Sequence, residues 1–243
     1  MKRTALAAST LALTVLTACA GGTSDTTADG DKPKASASAS QSEQLSPADR
    51  LAKLMITKAD LGGDYDVEEY SLDGEYVFAK TQDEVTIDNP VCTPLVYVAN
   101  QLPLGDSQAF VTAHVSTNVL TDGSNYVTLI AYEGEGQAES AMAGLSEAVT
   151  SCGDGFTAEA NGSSSTHDSV TAEKADTAGD ESLAFKTTLT FREITHTMHG
   201  AAVRSGDVIA VYFSVNGMAI ANSNPSDAKL PAAVVQAQNA KLG

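Results

Sequence analysis

No tryptophan occurs in this chain, and seven tyrosines and six phenylalanines supply all of its six-membered aromatic rings. Polysaccharide platforms commonly use stacked rings, so a sugar-binding role has little to stand on. Positive charge is scarce too: 14 Lys and Arg face 31 Asp and Glu, a formal charge of −17. Holding a phosphate backbone needs a clustered cationic footprint, which argues against nucleic acid as a partner. G-x-S-x-G, the P-loop and a G-x-G-x-x-G after a strand are all missing, so the common hydrolase, nucleotide and dinucleotide sites lack support and no motif calls for a cofactor. A scattered Ser-His-Asp triad escapes sequence inspection and stays open.

Hydrophobic residues at 42% and charged residues at 19% are ordinary globular values, and the length fits one domain or at most two small ones. The chain opens with Met1-Lys2-Arg3, runs through an apolar stretch from Ala5 to Leu16 and ends that stretch in small residues. This is the three-part plan of a secretory signal over residues 1–18. The stretch is shorter than the about 20 apolar residues needed to cross roughly 30 Å of hydrocarbon, and no later segment approaches that length.

Leu16-Thr17-Ala18-Cys19 sets an aliphatic residue and two small ones before a cysteine. The pattern resembles the lipobox of bacterial lipoproteins. That resemblance implies cleavage before Cys19, a diacylglyceryl group on its thiol, and a lipid anchor at the extracytoplasmic face of the cell membrane. Ordinary secretory cleavage with a spare thiol is the competing reading. Each buried methylene contributes about 0.8 kcal/mol, so one acyl chain holds marginally and two or three hold firmly. Losing Lys2 and Arg3 with the leader leaves 12 basic against 31 acidic residues, a charge of −19. Anionic headgroups repel such a body, so it stands off the membrane.

Residues 19–44 read as the lipidated cysteine and a linker. Ala20 to Gln44 contain no aromatic residue and no Val, Ile, Leu or Met. Such a composition does not offset its ordering entropy, and a coil of that length spans roughly 25 to 30 Å.

Residues 45–243 read as a single α+β domain. Ser46 is placed as N-cap, Pro47 as first helical residue and Asp49 in the first turn, with Leu51, Leu54 and Met55 on the apolar side. Asp64, Asp66 and Glu68 alternate with Tyr65 and Val67, a strand with one wet face. Leu95 to Leu102 forms a short helix closed by Pro103. Ala109 to Thr117 and Tyr126 to Tyr132 form a hairpin around a turn at residues 121–124, and 136–151 form an amphipathic helix ending at Cys152. Leu183 to Arg192, Thr195 to Arg204 and Asp207 to Val215 read as strands, with a turn at Ser205-Gly206, and Ser226 to Leu242 as a closing helix. Local hairpins with interspersed helices point to a mostly antiparallel β-sheet with helices packed on one face.

With Cys19 assigned to lipid, Cys92 and Cys152 remain as a pair, and an oxidising compartment makes a disulfide the default. Zinc held by both cysteines and two histidines is the rival, but no CxxC or HxxxH spacing supports it. His196 and His199 lie in a strand, where a separation of three puts them on opposite faces and leaves them as surface or cleft residues. His114 reads as a polar-face residue. Asp64-x-Asp66-x-Glu68 begins like a calcium loop, but Glu69 stands where glycine is needed, and a charged edge strand explains it better. Ser226-Asp227-Ala228-Lys229 matches S-x-x-K without its usual companions and is read as helix capping. Asn161-Gly162-Ser163 has the form of a sequon and reads as a loop. No residue is assigned a catalytic or metal-binding role.

Leu54-Met55-Ile56-Thr57-Lys58-Ala59-Asp60-Leu61-Gly62-Gly63-Asp64-Tyr65 resembles the opening helix and D-L-x-x-G-aromatic turn of the PknH-type extracellular sensor domains found on actinobacterial kinases and lipoproteins. Asn89-Pro90-Val91-Cys92 before a helix, the Ala-rich helix into Cys152 and the closing Ala/Gln helix also fit. The resemblance implies an antiparallel sheet with flanking helices and a cleft for an unidentified extracellular ligand. It transfers no cleft residue. The chain departs from the kinases in having one candidate domain disulfide and no kinase domain, so any signal passes through another protein. Two roles follow: non-catalytic binding of a small or extended ligand in a sheet-lined cleft, or a protein-interaction module acting on a membrane or cell-wall partner. Intact-mass spectrometry of the membrane fraction is expected to show a chain beginning at Cys19 and carrying acyl groups, whereas an unmodified Cys19 refutes the anchor.

Overall fold

A serine and a proline start the ordered helix. The Ser46 hydroxyl accepts the Asp49 N–H at 3.1 Å and Pro47 takes the first helical position, opening α1 (Pro47–Leu54). A computed structural model describes residues 45–74, 77–119 and 123–243; Cys19, the leader and the linker lie outside the described residues. After α1 come α2 (Lys58–Leu61), β1 (Tyr65–Glu69), β2 (Thr86–Ile87), α3 (Thr93–Ala99), β3 (Ala109–Thr117), β4 (Ser124–Ala131) and α4 (Glu135–Ser151). The chain continues through β5 (Phe156–Ala160), β6 (Ser163–His167), β7 (Ser169–Glu173), β8 (Glu181–Phe191), β9 (Ile194–Ser205) and β10 (Val208–Val215). It closes with α5 (Gly217–Ala221), β11 (Ser226–Ala228) and α6 (Ala232–Leu242). Among the described residues no helix is long and apolar enough to cross a membrane.

The main sheet runs β1-β3-β4-β10-β9-β8-β7, antiparallel throughout, with β11 added in parallel beside β9. The expected α+β class with a mostly antiparallel sheet is therefore the observed one. A second small sheet, β2-β5-β6, lies apart. Its hairpin turns on Asn161 and Gly162, with φ of +51° and +76°. This is the Asn-Gly pair favoured by type I′ turns, and the segment read as a loop is that turn. Gly206, at φ +57°, makes the expected turn between β9 and β10.

The helices do not sit on one face. Ile209, Val211 and Phe213 of β10 face α3 and α4, in a core shared with Leu95, Met142 and Leu145. Val208, Ala210 and Tyr212 face α1 and α6, in a second core with Leu51, Ile56 and Val234. A strand apolar at every position has to be covered on both sides, so helices flank both faces. The closing helix also starts later than expected: Ser226 to Ala228 pair with β9, Pro231 takes the N-cap position, and α6 begins at Ala232. The S-x-x-K residues are thus a strand and its exit, not a helix cap. α3 is likewise shifted to Thr93–Ala99, with Pro94 in its first turn.

Two ties brace the cores. Cys92 and Cys152 are joined by a disulfide, Cα to Cα 5.9 Å, inside the α3/α4 core. A loop of that size gives about 4 kcal/mol in the chain-entropy picture. On the other face Gln238 of α6 is fully buried. Its Oε1 accepts the Ile56 N–H and its Nε2 donates to the Leu54 carbonyl, both at 2.9 Å. This clamp satisfies backbone groups at the end of α1 and locks the last helix to the first.

Gly200 in β9 lies under the Phe185 ring, where a Cβ would meet ring carbon Cζ at 2.4 Å. Replacing it by alanine forces the ring out of its place in the core. Gly200→Ala is expected to lower unfolding free energy by about 1 to 3 kcal/mol, the usual range for overpacking, read from urea denaturation with unchanged m.

Candidate functional site

The α1/α6 face of the sheet is only partly roofed. α1 rests on β3 and β4, α6 on β10 and α2 against β1, so the β8 wing stays open on that side and the β1 wing is only partly covered, and each wing forms a cleft. One lies over β8 and β9 beside α6 and encloses about 270 Å³. Ala184, Ala201 and Val203 form its floor, and Val235 and Asn239 of α6 one wall. The segment from Glu173 to Asp176 forms the opposite wall. The second cleft, about 320 Å³, lies over β1 and β3 and is lined largely by apolar groups such as Met55, Val67 and Val111.

The first cleft carries the denser polar chemistry. His199 sits at its end with 9% of its side chain exposed. Its Nδ1 lies 2.7 Å from Glu173 Oε2, and its Nε2 lies 2.6 Å from Asp227 Oδ1. A neutral imidazole carries a single N–H, so both carboxylates receive a proton donor only from the doubly protonated ring. The His199 bond holds the Asp227 carboxyl below its ordinary range, with a smaller contribution from Lys229, whose Nζ is 3.5 Å away. Neither acid was foreseen. Glu173 and Asp227 are 26 and 28 positions from His199 in the chain, and only sheet register brings them together.

His196 and His199 occupy opposite faces of β9, as their spacing implies, but His196 is neither a surface nor a cleft residue. It is fully buried, with Nδ1 3.0 Å from Ser226 Oγ and no hydrogen-bond partner for Nε2 among the described residues. A serine-histidine-acid relay needs one ring to meet a hydroxyl and an acid together. Here the hydroxyl meets one histidine and the acids meet the other, on opposite sides of a strand. Among the described residues no cluster of three His, Cys, Asp or Glu is placed to hold a metal ion.

The other expected positions find structural places. His114 is half-buried against Tyr126, ring centres 5.2 Å apart, and burial pushes its pKa down, with Glu68 partly opposing. Asp66 of edge strand β1 pairs with Lys58 at 2.5 Å. Asn161 donates its amide to the Phe78 carbonyl and to Glu84, at 3.1 and 3.2 Å. His167 stacks on Phe156 at 4.6 Å and lies 2.9 Å from the Thr187 hydroxyl; burial pushes its pKa down to about 4.

No family model matches the chain, and no curated protein matches it. Among solved structures it is similar to the extracellular domain of PknH from Mycobacterium tuberculosis. The TM-score is 0.53 at 12% identity, over 82% of this chain and 95% of that one. It also aligns with an uncharacterised protein of Mycobacterium smegmatis, an Rv0999 ortholog, with a TM-score of 0.38 at 10% identity over 68% and 80% of the two chains. The likeness to the PknH domain is one of fold.

The buried His167 has a sign to test. Its ring is neutral in the fold down to pH about 4 and free to protonate near pH 6.5 when unfolded, so between those values the unfolded chain binds more protons and stability falls with acidification. The wild type is expected to lose up to about 3 kcal/mol through this group across that window, and His167→Gln to show a flatter stability profile there in denaturant titrations at stepped pH.

Proposed function

We propose that this protein is a cell-surface lipoprotein whose extracytoplasmic domain binds a small or extended ligand, without catalysis, in the cleft over β8 and β9. The observation that carries the reading is the form of that cleft: an apolar floor of Ala184, Ala201 and Val203 with Glu173, Ser182, His199, Lys229 and Asn239 converging on it. Concave apolar surface with a few placed polar groups is the usual makeup of a ligand site. At about 270 Å³ it suits a small molecule or one end group of an extended one. The lipobox-like Leu16 to Cys19 supports the anchor, and the fold shared with an extracellular domain supports placement outside the membrane. The ring of His199 has both nitrogens turned to acids and neither to a hydroxyl, so no nucleophile and base are paired on it.

Native mass spectrometry of the protein purified from its own host tests the reading. A small-molecule adduct is expected on the wild type and is expected to be absent from Ala184→Phe, which fills the floor, with circular dichroism unchanged. An adduct that survives Ala184→Phe places binding elsewhere, and a bare wild-type mass together with a stoichiometric protein partner turns the reading toward a protein-interaction module.

A further inference from the structure

We propose that His199 is a protonation-dependent latch that closes one wall of the β8/β9 cleft. The ring joins two pieces of chain that the backbone does not join. Glu173 is the last residue of edge strand β7 and leads into the Lys174-to-Asp176 wall of the cleft. Asp227 lies on β11, which is paired to β9 by its backbone. With both ring nitrogens protonated, Nδ1–H donates to Glu173 and Nε2–H to Asp227. When the ring gives one proton to solvent, only one of these hydrogen bonds survives, because a carboxylate facing a nitrogen lone pair has nothing to accept.

The bond to Glu173 is the one lost. Asp227 is held in place by the pairing of β11 with β9 and by Lys229 at 3.5 Å. Glu173 sits at the free end of an outer strand with the His199 ring as its one side-chain partner among the described residues. The proton that leaves is therefore the one on Nδ1, and Nε2–H stays with Asp227. The freed Glu173 carboxylate turns to solvent, and the wall that follows it loses its tie to β9 and keeps only its hold on β8, through the Glu173–Ala184 backbone register and the Ser182 hydroxyl, which donates to the Asp176 carbonyl at 2.9 Å.

The surroundings bear on both states. From β8, Lys186 stands opposite His199 in the strand register, and from β10 the uncharged Ser214 does. Lys174 and Asp176 come from the wall, Lys229 from the exit of β11, and the α6 residues on the cleft are uncharged. On the cleft lining Lys174 and Lys229 balance Glu173 and Asp176, so the ring proton sets its sign: net positive when latched, neutral when open.

The test is long-range ¹H–¹⁵N NMR of the His199 ring, with hydrogen exchange of the β7 amides, followed across a pH titration from acid to alkaline conditions. The expected result is two ring N–H groups at the acid end, one at Nε2 at the other end, and exchange protection of β7 falling about tenfold in step with the ring, after correction for the intrinsic rate, as for one partly exposed charge-assisted hydrogen bond. In Glu173→Gln the amide can accept from Nδ1–H or donate to its lone pair, so the ring still titrates but the β7 response disappears. In Glu173→Ala the strand end is loose throughout. A ring with a single N–H over the whole range overturns the latch, and so does β7 protection that ignores the ring or responds equally in Glu173→Gln. None of these readouts depends on a ligand, so the latch can fail while the cleft still binds.

Discussion

The constraint on which the rest depends is that β10 is out of water on both sides. From Val208 to Ser214 every side chain is buried, and successive residues belong to two different cores. A sheet with such a centre must be covered twice, and the chain has limited material for it. On one face α3, α4 and the small sheet reach across from β10 to β8. On the other, the eight residues of α1 and eleven of α6 cover only the middle. The open wings, and hence the clefts, are what remains when two short helices cover the centre of a seven-strand path.

This explains what could be read in advance and what could not. β10 and the hairpin of β3 with β4 were legible because β-branched residues and turn residues sit in the right order, and the α1 cap was legible because serine, proline and aspartate each do one job there. The helices' distribution was not: Ile209 and Ala210 are both simply apolar, and nothing local says that they face different helices. β11 was missed because Ser226 to Ala228 have ordinary helix-start chemistry and become a strand only through the open edge of β9 beyond the end of β10. Asn161-Gly162 carries a hairpin signal, but β6 after it reads Ser163-Ser164-Ser165-Thr166-His167, with no apolar alternation to mark a strand. The site was the least legible part. His199 could be named as a candidate, but its two acids come from the outermost strand and from a three-residue strand, and their meeting depends on register across the whole sheet.

The four histidines show how far environment outweighs residue type. His167 gives up its charge to lie against Phe156. His196 is sealed in with a serine hydroxyl. His114 shares a half-buried aromatic cluster with Tyr70 and Tyr126. Only His199 faces carboxylates on both sides, and it is also the one at the end of a cleft. Four identical side chains thus serve as core filler, a capped buried group, a stacking partner and a tie between two acids.

The covalent bridge from Cys92 to Cys152 turns the intervening backbone into a ring that contains α3, β3, β4 and α4. A protease that nicks this ring once produces no separate fragments: both severed ends stay attached through sulfur, β4 keeps its seat beside β10, and the wound is visible only after reduction. Such a closed circuit converts the first cut from a loss into a scar.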